Sequence, residues 1–423
     1  MSLTGKMFES VPSRAKAKSP SARKASVISR VASAVLLTGA LGLTACTRDY
    51  TVAYLYATAA GAGINEYGVN YRSGALIPIA GSPVAAGNNP IKIIAAPNGL
   101  YVYVLNQGDS TVQLFSVDPD TGQLTSKNTY PTGSHPTAMA MDPAGKFLYV
   151  TFTYQSGYSE TNPGPGGVNI FPISSDFSLG TPTMQPLGNN PVDVTVTNFT
   201  PFVYIIDAEP AVGSGSPIGW LLAFSQNTSN GSLTPLGRTN ITVDSTGKSA
   251  ATGYGAGTNP SAIAADPTAR WVYVTDRSTN QLYGNIIIGG GLLQPMQNSP
   301  FATGLLPVGV VVDPRGRYMY VSNFNANTVS AYAIDQSTGS PVGSVGSGAT
   351  AVGTGPTCLT IEPALGIYLY TSNNLGNTTW GLKLDAHTGA LQNVQNTPFP
   401  AAGVPTCVVA VANGSHATQV VNP

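Results

Sequence analysis

One phrase begins six times along this chain: a proline, alternating apolar residues, a tight turn, then a run rich in tyrosine and valine. It reads "PIKIIAAPNGLYVYVLN" from Pro90, "PTAMAMDPAGKFLYVTF" from Pro136 and "PVGVVVDPRGRYMYVSN" from Pro307, with further copies from Pro191, Pro260 and Pro356. A shortened copy, "PTCVVAVANG", starts at Pro405, and successive starts lie 46, 55, 69, 47, 49 and 49 residues apart. A repeat of this period, made of several short strands, restricts the chain to an array of similar small sheets.

Each copy divides into four strands, a to d. Strand a is apolar at alternate positions, as in Val192, Val194 and Val196, and ends in Asp-Pro-x-Gly, as at Asp142 to Gly145. Asp first, Pro second and Gly fourth is type I turn chemistry. Strand b is the "YVYV" run and strand c follows as "STVQLFSV" from Ser110; a second turn, "DPDTG" at Asp118 or "DQSTG" at Asp335, leads to strand d. The stretch "YTVAYLYATAA" from Tyr50 reads as a strand b with no strand a before it, and the orphan strand a is the one from Pro405. The sequence therefore predicts an all-β fold: a seven-bladed β-propeller of four-stranded blades, closed by N- and C-terminal strands that share one blade, over residues 46–423. Closure in this way hides the edges that an open array exposes.

The repeated P-x-x-[VI]-x-x-[DE]-P-x-G-x-x-[VL]-Y-V-x-[ND], followed by "TV" and D-x-x-T-G-x-L, resembles the YVTN-type, lactonase-like seven-bladed propellers, which include 6-phosphogluconolactonase-type enzymes and cyclic-muconate enzymes. The likeness covers nearly all of Thr51 to Asn413. Relatives of the lactonase kind carry Pro-Arg-His at a strand-a start and Asn-Glu after a strand b. Here the corresponding starts read Pro136-Thr137-Ala138 and Pro191-Val192-Asp193, and the acidic element is Asp207-Ala208-Glu209. One propeller hosts many functions, so the repeat speaks for fold before activity.

The formal net charge of zero conceals an uneven distribution. Residues 1–45 hold seven Lys/Arg against the single acid Glu9, leaving 12 basic and 18 acidic residues beyond them. That mildly acidic remainder argues against a nucleic-acid partner. The basic head runs into "VASAVLLTGALGLTAC" from Val31, too short to span a bilayer's hydrocarbon core. Its end, Leu43-Thr44-Ala45-Cys46, resembles the lipobox of bacterial lipoproteins, in which the cysteine is acylated after the signal peptide, here residues 1–45, is removed. The resemblance implies a lipid anchor at Cys46 holding the protein to a cell-envelope membrane, and Thr47 after the cysteine favours the outer membrane.

Alternation of strand direction puts the b-to-c and d-to-a loops on one face. Three long insertions fall there: "YQSGYSETNPGPGG" from Tyr154, "AEPAVGSGSPIG" from Ala208 and "DSTGKSAATGYGAGTN" from Asp244. Loops on a rigid scaffold are common binding surfaces, so Tyr154, Tyr158, Glu160, Trp220 and Tyr254 are candidate ligand contacts. At the second residue after each repeat-starting proline, small side chains are expected near the axis. Ala138, Ala262, Gly309, Cys358 and Cys407 obey, while Lys92 and Asp193 do not. Charges half-buried there need partners. With His135 and Glu209 they form the candidate catalytic set, His135 as base and Lys92 against developing negative charge. Solvated channel polarity accounts for the same residues without chemistry.

Two functions follow. The first is a binding or scaffold module that holds an envelope protein, glycan or small molecule through one loop face; the second is a lactonase-like hydrolase at the channel mouth. Neither a metal nor a cofactor is expected: His387 sits in a turn and His416 near the end, so neither joins His135 in a ligand cluster. The recurring Asp142, Asp266 and Asp313 read as turn punctuation. Cys358 and Cys407 lie at equivalent places on adjacent inner strands, where export permits a disulfide but the expected separation approaches the limit of roughly 7 Å, leaving an unbridged pair the favoured outcome.

Overall fold

A computed structural model describes residues 50–209 and 217–414. The signal-peptide and Cys46 readings, the middle of the loop after Ala208 and His416 lie outside the described residues.

Seven antiparallel sheets, each with four strands on its main path, follow one another in chain order around a central axis. Blade 1 takes its three outer strands, Thr51–Ala60, Gly63–Asn70 and Leu76–Pro78, from the N-terminal side and its inner strand, Val404–Ala412, from the C-terminal side. Blades 2 to 7 begin at the inner strands Pro90–Ala95, Ser134–Met141, Pro191–Val196, Pro260–Ala265, Pro307–Val312 and Pro356–Ile361. The repeat and its closure are as the sequence predicts.

Between blades lie apolar layers, and strand b explains them. Its two aromatic positions, two residues apart, share one face of the strand. The second tyrosine of each copy donates its hydroxyl to a carbonyl of the next blade's c-to-d turn: Tyr56 to Gly122, Tyr103 to Phe177, Tyr149 to Gly231, Tyr204 to Gly291, Tyr273 to Gly339, Tyr320 to Gly389 and Tyr370 to Gly74, at 2.6 to 3.0 Å. The first aromatic lies against the turn itself. At Gly339 and Gly389 the backbone is left-handed (φ 76° and 73°) and a Cβ there would enter the ring of Trp271 or Tyr318. Glycine in the "TG" turn therefore serves the neighbouring blade as well as its own turn.

The Asp-Pro turns behave as punctuation. Asp142, Asp266 and Asp313 each accept, through Oδ1, two N–H groups four and five residues on, and Glu362 accepts four in the equivalent place of blade 7.

Three features depart from the sequence reading. The insertion after Asp244 is no open loop: Asn240–Val243 pairs with Ser249–Thr252 as a hairpin turning at Asp244. Strand d of blades 4, 5 and 7 is broken, its second piece (Tyr254–Gly255, Phe301–Ala302, Phe399–Pro400) pairing with strand c after an interruption. Finally, Cys358 and Cys407 are bridged. The inner strands of blades 7 and 1 converge so closely at the axis, where the Thr357 hydroxyl bonds to the Thr406 carbonyl at 2.8 Å, that the cysteine Cα atoms are only 4.7 Å apart.

Candidate functional site

The central channel contains the first two predicted charges. Lys92 Nζ, from blade 2, lies 3.3 Å from Asp193 Oδ1 of blade 4, and Asp193 Oδ2 accepts the Ile263 N–H at 3.2 Å. Each charge thus answers the other, which meets the demand for a partner that burial imposes. The space around them is about 230 Å³, lined also by the hydroxyls of Thr137, Ser261, Thr357 and Thr406. Those hydroxyls are occupied: they donate to main-chain carbonyls of the next blade at Pro191, Pro307, Thr406 and Pro90, at 2.6 to 2.8 Å. The channel is a neutralised and hydrogen-bonded seam.

His135 stands outside it. The residue before the repeat proline is left-handed in several blades (Asn89, φ 49°; His135, φ 56°; Leu306, φ 54°), and histidine tolerates this backbone better than most side chains. The exposed imidazole stands 6.0 Å, ring centre to ring centre, from Tyr154 and shares with Glu160 a cleft of about 300 Å³.

Glu209 lies in a larger cleft of about 590 Å³ over blades 3 to 5, with Tyr154, Asn189, Lys248, Asn259 and Arg277. It is a held carboxylate: Oε1 accepts the Asn189 N–H at 3.1 Å and Oε2 the Asn189 side-chain amide. Two residues earlier, Asp207 is fully buried; Oδ1 accepts the Asn190 N–H at 3.1 Å while Oδ2 has no hydrogen-bond partner among the described residues. Burial, then the like charge of Glu209, pushes the Asp207 carboxyl up to about 7, against the pull of the Asn190 and Gly188 N–H groups. Gly188 faces both acids, and a Cβ there would land on Glu209 Oε1 and Asp207 Oδ2. The same end-of-strand position holds Asn106, Asp276, Asn323 and Asn373 in other blades. Asp276 has both oxygens occupied by the N–H groups of Thr258 and Asn259, so of the two acids at this position Asp207 is the half-satisfied one, while Asn106 and Asn373 also leave Oδ1 without a partner among the described residues.

The predicted set is therefore divided: Lys92 with Asp193 in the channel, His135 in one cleft, Glu209 in another. Of the candidate ligand contacts, Tyr154 lines both outer clefts and also a third, of about 540 Å³, where Tyr158 lies over Gly164. Tyr254 is no ligand contact: at 5% exposure it belongs to the core between blades 4 and 5. The hairpin carries it inward to pair with strand c, where its hydroxyl meets the Leu293 N–H. Trp220 packs half-buried against the core between blades 3 and 4, opposite Asp207 in the strand pairing.

The family described as "Lactonase, 7-bladed beta-propeller" matches residues 50–183 and 219–361. The chain belongs to this lactonase family. Among solved structures, it is similar to a candidate 6-phosphogluconolactonase from Bacteroides uniformis at 20% identity, with 86% of this chain and 100% of that one covered and a TM-score of 0.66. It is also similar to the periplasmic gluconolactonase of Pseudomonas aeruginosa at 18% identity, covering 86% and 99%, with a TM-score of 0.65. No curated protein matches the chain significantly.

Within this lactonase-family propeller, the sequence reading missed Lys248 and Arg277. Lys248 was hidden because the hairpin that presents it read as loop. Arg277 had a signal: it directly follows strand b, where the short loops of blades 2, 6 and 7 hold Gln107, Phe324 and Asn374. It is the charged exception in that series.

Proposed function

We propose that this protein hydrolyses a sugar-derived lactone in the cleft of Glu209, Lys248 and Arg277. The observation that carries the reading is this meeting of one held carboxylate and two cations in a 590 Å³ cleft on the loop face of a lactonase-family propeller. The names of the Bacteroides and Pseudomonas relatives support the same chemistry. The binding-module reading rested on the long loops of one face and on the absence of the Arg-His pair that lactonase relatives carry, and the second ground weakens once Lys248 and Arg277 supply positive charge from other loops.

Lactone hydrolysis needs a base for water and positive charge for the oxyanion. Glu209 takes a proton from a water whose oxygen bonds to the lactone carbonyl carbon. Arg277 and Lys248 offset the negative charge that develops on the carbonyl oxygen. The tetrahedral centre collapses by breaking the bond to the ring oxygen, which receives the proton from Glu209 and becomes a hydroxyl. The product is the open-chain aldonic acid, which ionises to the aldonate and releases its proton to solvent. Asn189 positions Glu209 through its two hydrogen bonds. The test is acid release from gluconolactone by purified protein in a pH-stat: wild type turns over well above the spontaneous rate and Glu209→Gln loses about 100-fold in kcat/KM. Wild type at the spontaneous rate refutes the reading.

Outside the cytoplasm is where this activity belongs in our reading, with Cys46 acylated and the propeller held at the outer membrane. The Cys358–Cys407 disulfide supports an oxidising compartment, and the periplasmic relative agrees with it.

A further inference from the structure

The cleft that holds Glu209 ends at Tyr154, and the cleft that holds His135 and Glu160 begins there. The two lie on the same face over successive blades and share that one aromatic wall. Their volumes, about 590 and 300 Å³, exceed together what a single hexose-derived lactone fills. Apart from Gly108 and Tyr154, the smaller one is lined by polar residues, among them Asn89, Gln107, Ser110, Ser134, His135 and Glu160. Part of this wall is fixed in advance, since the Gln107 side chain accepts from the Asn89 amide at 3.2 Å and donates to the Pro136 carbonyl at 3.0 Å. Ser110 accepts the His135 N–H at 3.2 Å, and the Ser159 hydroxyl pairs with that of Thr161 at 3.1 Å. No hydrogen bond among the described residues engages the imidazole of His135, the carboxylate of Glu160 or the hydroxyls of Ser134 and Tyr154.

Amides, hydroxyls and an imidazole that both give and take hydrogen bonds, with a carboxylate that takes them, suit a ligand covered in hydroxyl groups when set around one amphipathic ring. An apolar substituent finds no aliphatic pocket in this cleft, and a phosphate faces Glu160 with only His135 to offset it. We propose that the His135–Glu160 cleft is a glycosyl subsite and that the preferred substrate is the lactone of an oligosaccharide-derived aldonic acid. Its lactone ring occupies the Glu209 cleft, and the attached sugar crosses Tyr154 to lie between His135 and Glu160. The inference rests on the lactone-hydrolase reading above and deepens it. The reaction is unchanged, with water adding to the carbonyl and the ring oxygen leaving as a hydroxyl; the glycosidic bond is untouched.

The experiment compares three probes with the purified protein: gluconolactone, cellobionolactone and 6-phosphogluconolactone, each followed by acid release. Two or three extra hydrogen bonds give cellobionolactone an advantage of about tenfold in kcat/KM over gluconolactone. His135→Ala and Glu160→Gln, both at exposed positions, each cut that ratio by about threefold or more. A second readout needs no turnover: cellobionate binds the Glu209→Gln protein more tightly than gluconate does, and His135→Ala in that background removes the difference. Equal kcat/KM for the two neutral lactones, a ratio unmoved by both variants, or preference for 6-phosphogluconolactone overturns the subsite while leaving lactone hydrolysis in place. Failure of wild type on all three lactones overturns the hydrolase reading and this substrate with it.

Discussion

The phenol of Tyr370 donates to the carbonyl oxygen of Gly74 at 2.6 Å, joining the last complete blade to the first across 296 residues of sequence. The same contact recurs at every blade boundary, so the ring is clamped by a repeated buried hydrogen bond in addition to its apolar layers. Burial pushes the Tyr370 hydroxyl well above its ordinary titration range, and it remains a donor at any physiological pH. Tyr370→Phe keeps the ring in place and leaves the Gly74 carbonyl without its donor. The expected cost is about 1–2 kcal/mol, read from urea unfolding, with Tyr103→Phe costing a similar amount and the two adding because their boundaries are far apart.

The disulfide joins the inner strands of blades 7 and 1, its cysteines 49 positions apart in sequence. Closing a loop of that length restricts the unfolded chain by about 4 kcal/mol in the chain-entropy account. Cys358→Ser with Cys407→Ser, or treatment with dithiothreitol, lowers the thermal midpoint of the wild-type protein. Dithiothreitol leaves the double variant unmoved.

Asp207 sets a pH dependence whose sign is fixed. Its folded-state carboxyl titrates at about 7, above its unfolded value, so the folded protein holds this proton more tightly. Stability from this group is fully present at pH 3 and is lost as pH rises from about 4 to about 7. Asp207→Asn follows the residue used in blades 2, 6 and 7 and removes the loss. The variant gains on the order of 2–4 kcal/mol relative to wild type at pH 8 and little at pH 4, measured by denaturant unfolding at both values.

Gly188→Ala tests how the two acids are held. The added methyl falls against Glu209 Oε1 and Asp207 Oδ2 together, so one carboxylate must move. The expected result is a fall of about tenfold or more in kcat/KM for gluconolactone, through displaced Glu209, with a loss of about 1–3 kcal/mol in stability. Gly316→Ala, in the Asp313 turn on the other face with open space around it, is a control for local backbone strain, and its kcat/KM stays near wild type.

The N-terminal proposal has its own measurement. Expressed in a Gram-negative host, the wild-type protein partitions into the detergent phase and takes up labelled palmitate, whereas Cys46→Ala stays in the aqueous phase. Palmitate-free wild-type protein refutes the anchor.

Blade number, strand order and the shared closing blade were legible because each copy repeats its own turn chemistry and alternation, and a missing strand at one end matched a spare strand at the other. The tyrosine clamp was not, although all seven tyrosines were in view, because a hydroxyl's partner in the next blade leaves no mark on local periodicity. At the candidate site, Glu209 could be found as an acid after strand b. Lys248 could not, because its hairpin pairing was invisible in a Gly- and Ser-rich stretch, and Tyr254 was misread for the same reason. Lys92 and Asp193 stood out as misplaced charges, yet spacing alone could not tell a reactive pair from one that satisfies itself.

The closing blade also gives the propeller a direction in time. Its second strand, Thr51–Ala60, is synthesised hundreds of residues before the strand that flanks it, Val404–Ala412. Until that segment emerges, this early-made sheet carries an unpaired edge and the arc cannot become a ring. Loss of a few residues from the C-terminal strand therefore injures the first blade made, and a nascent chain must be kept from its neighbours until its two ends meet.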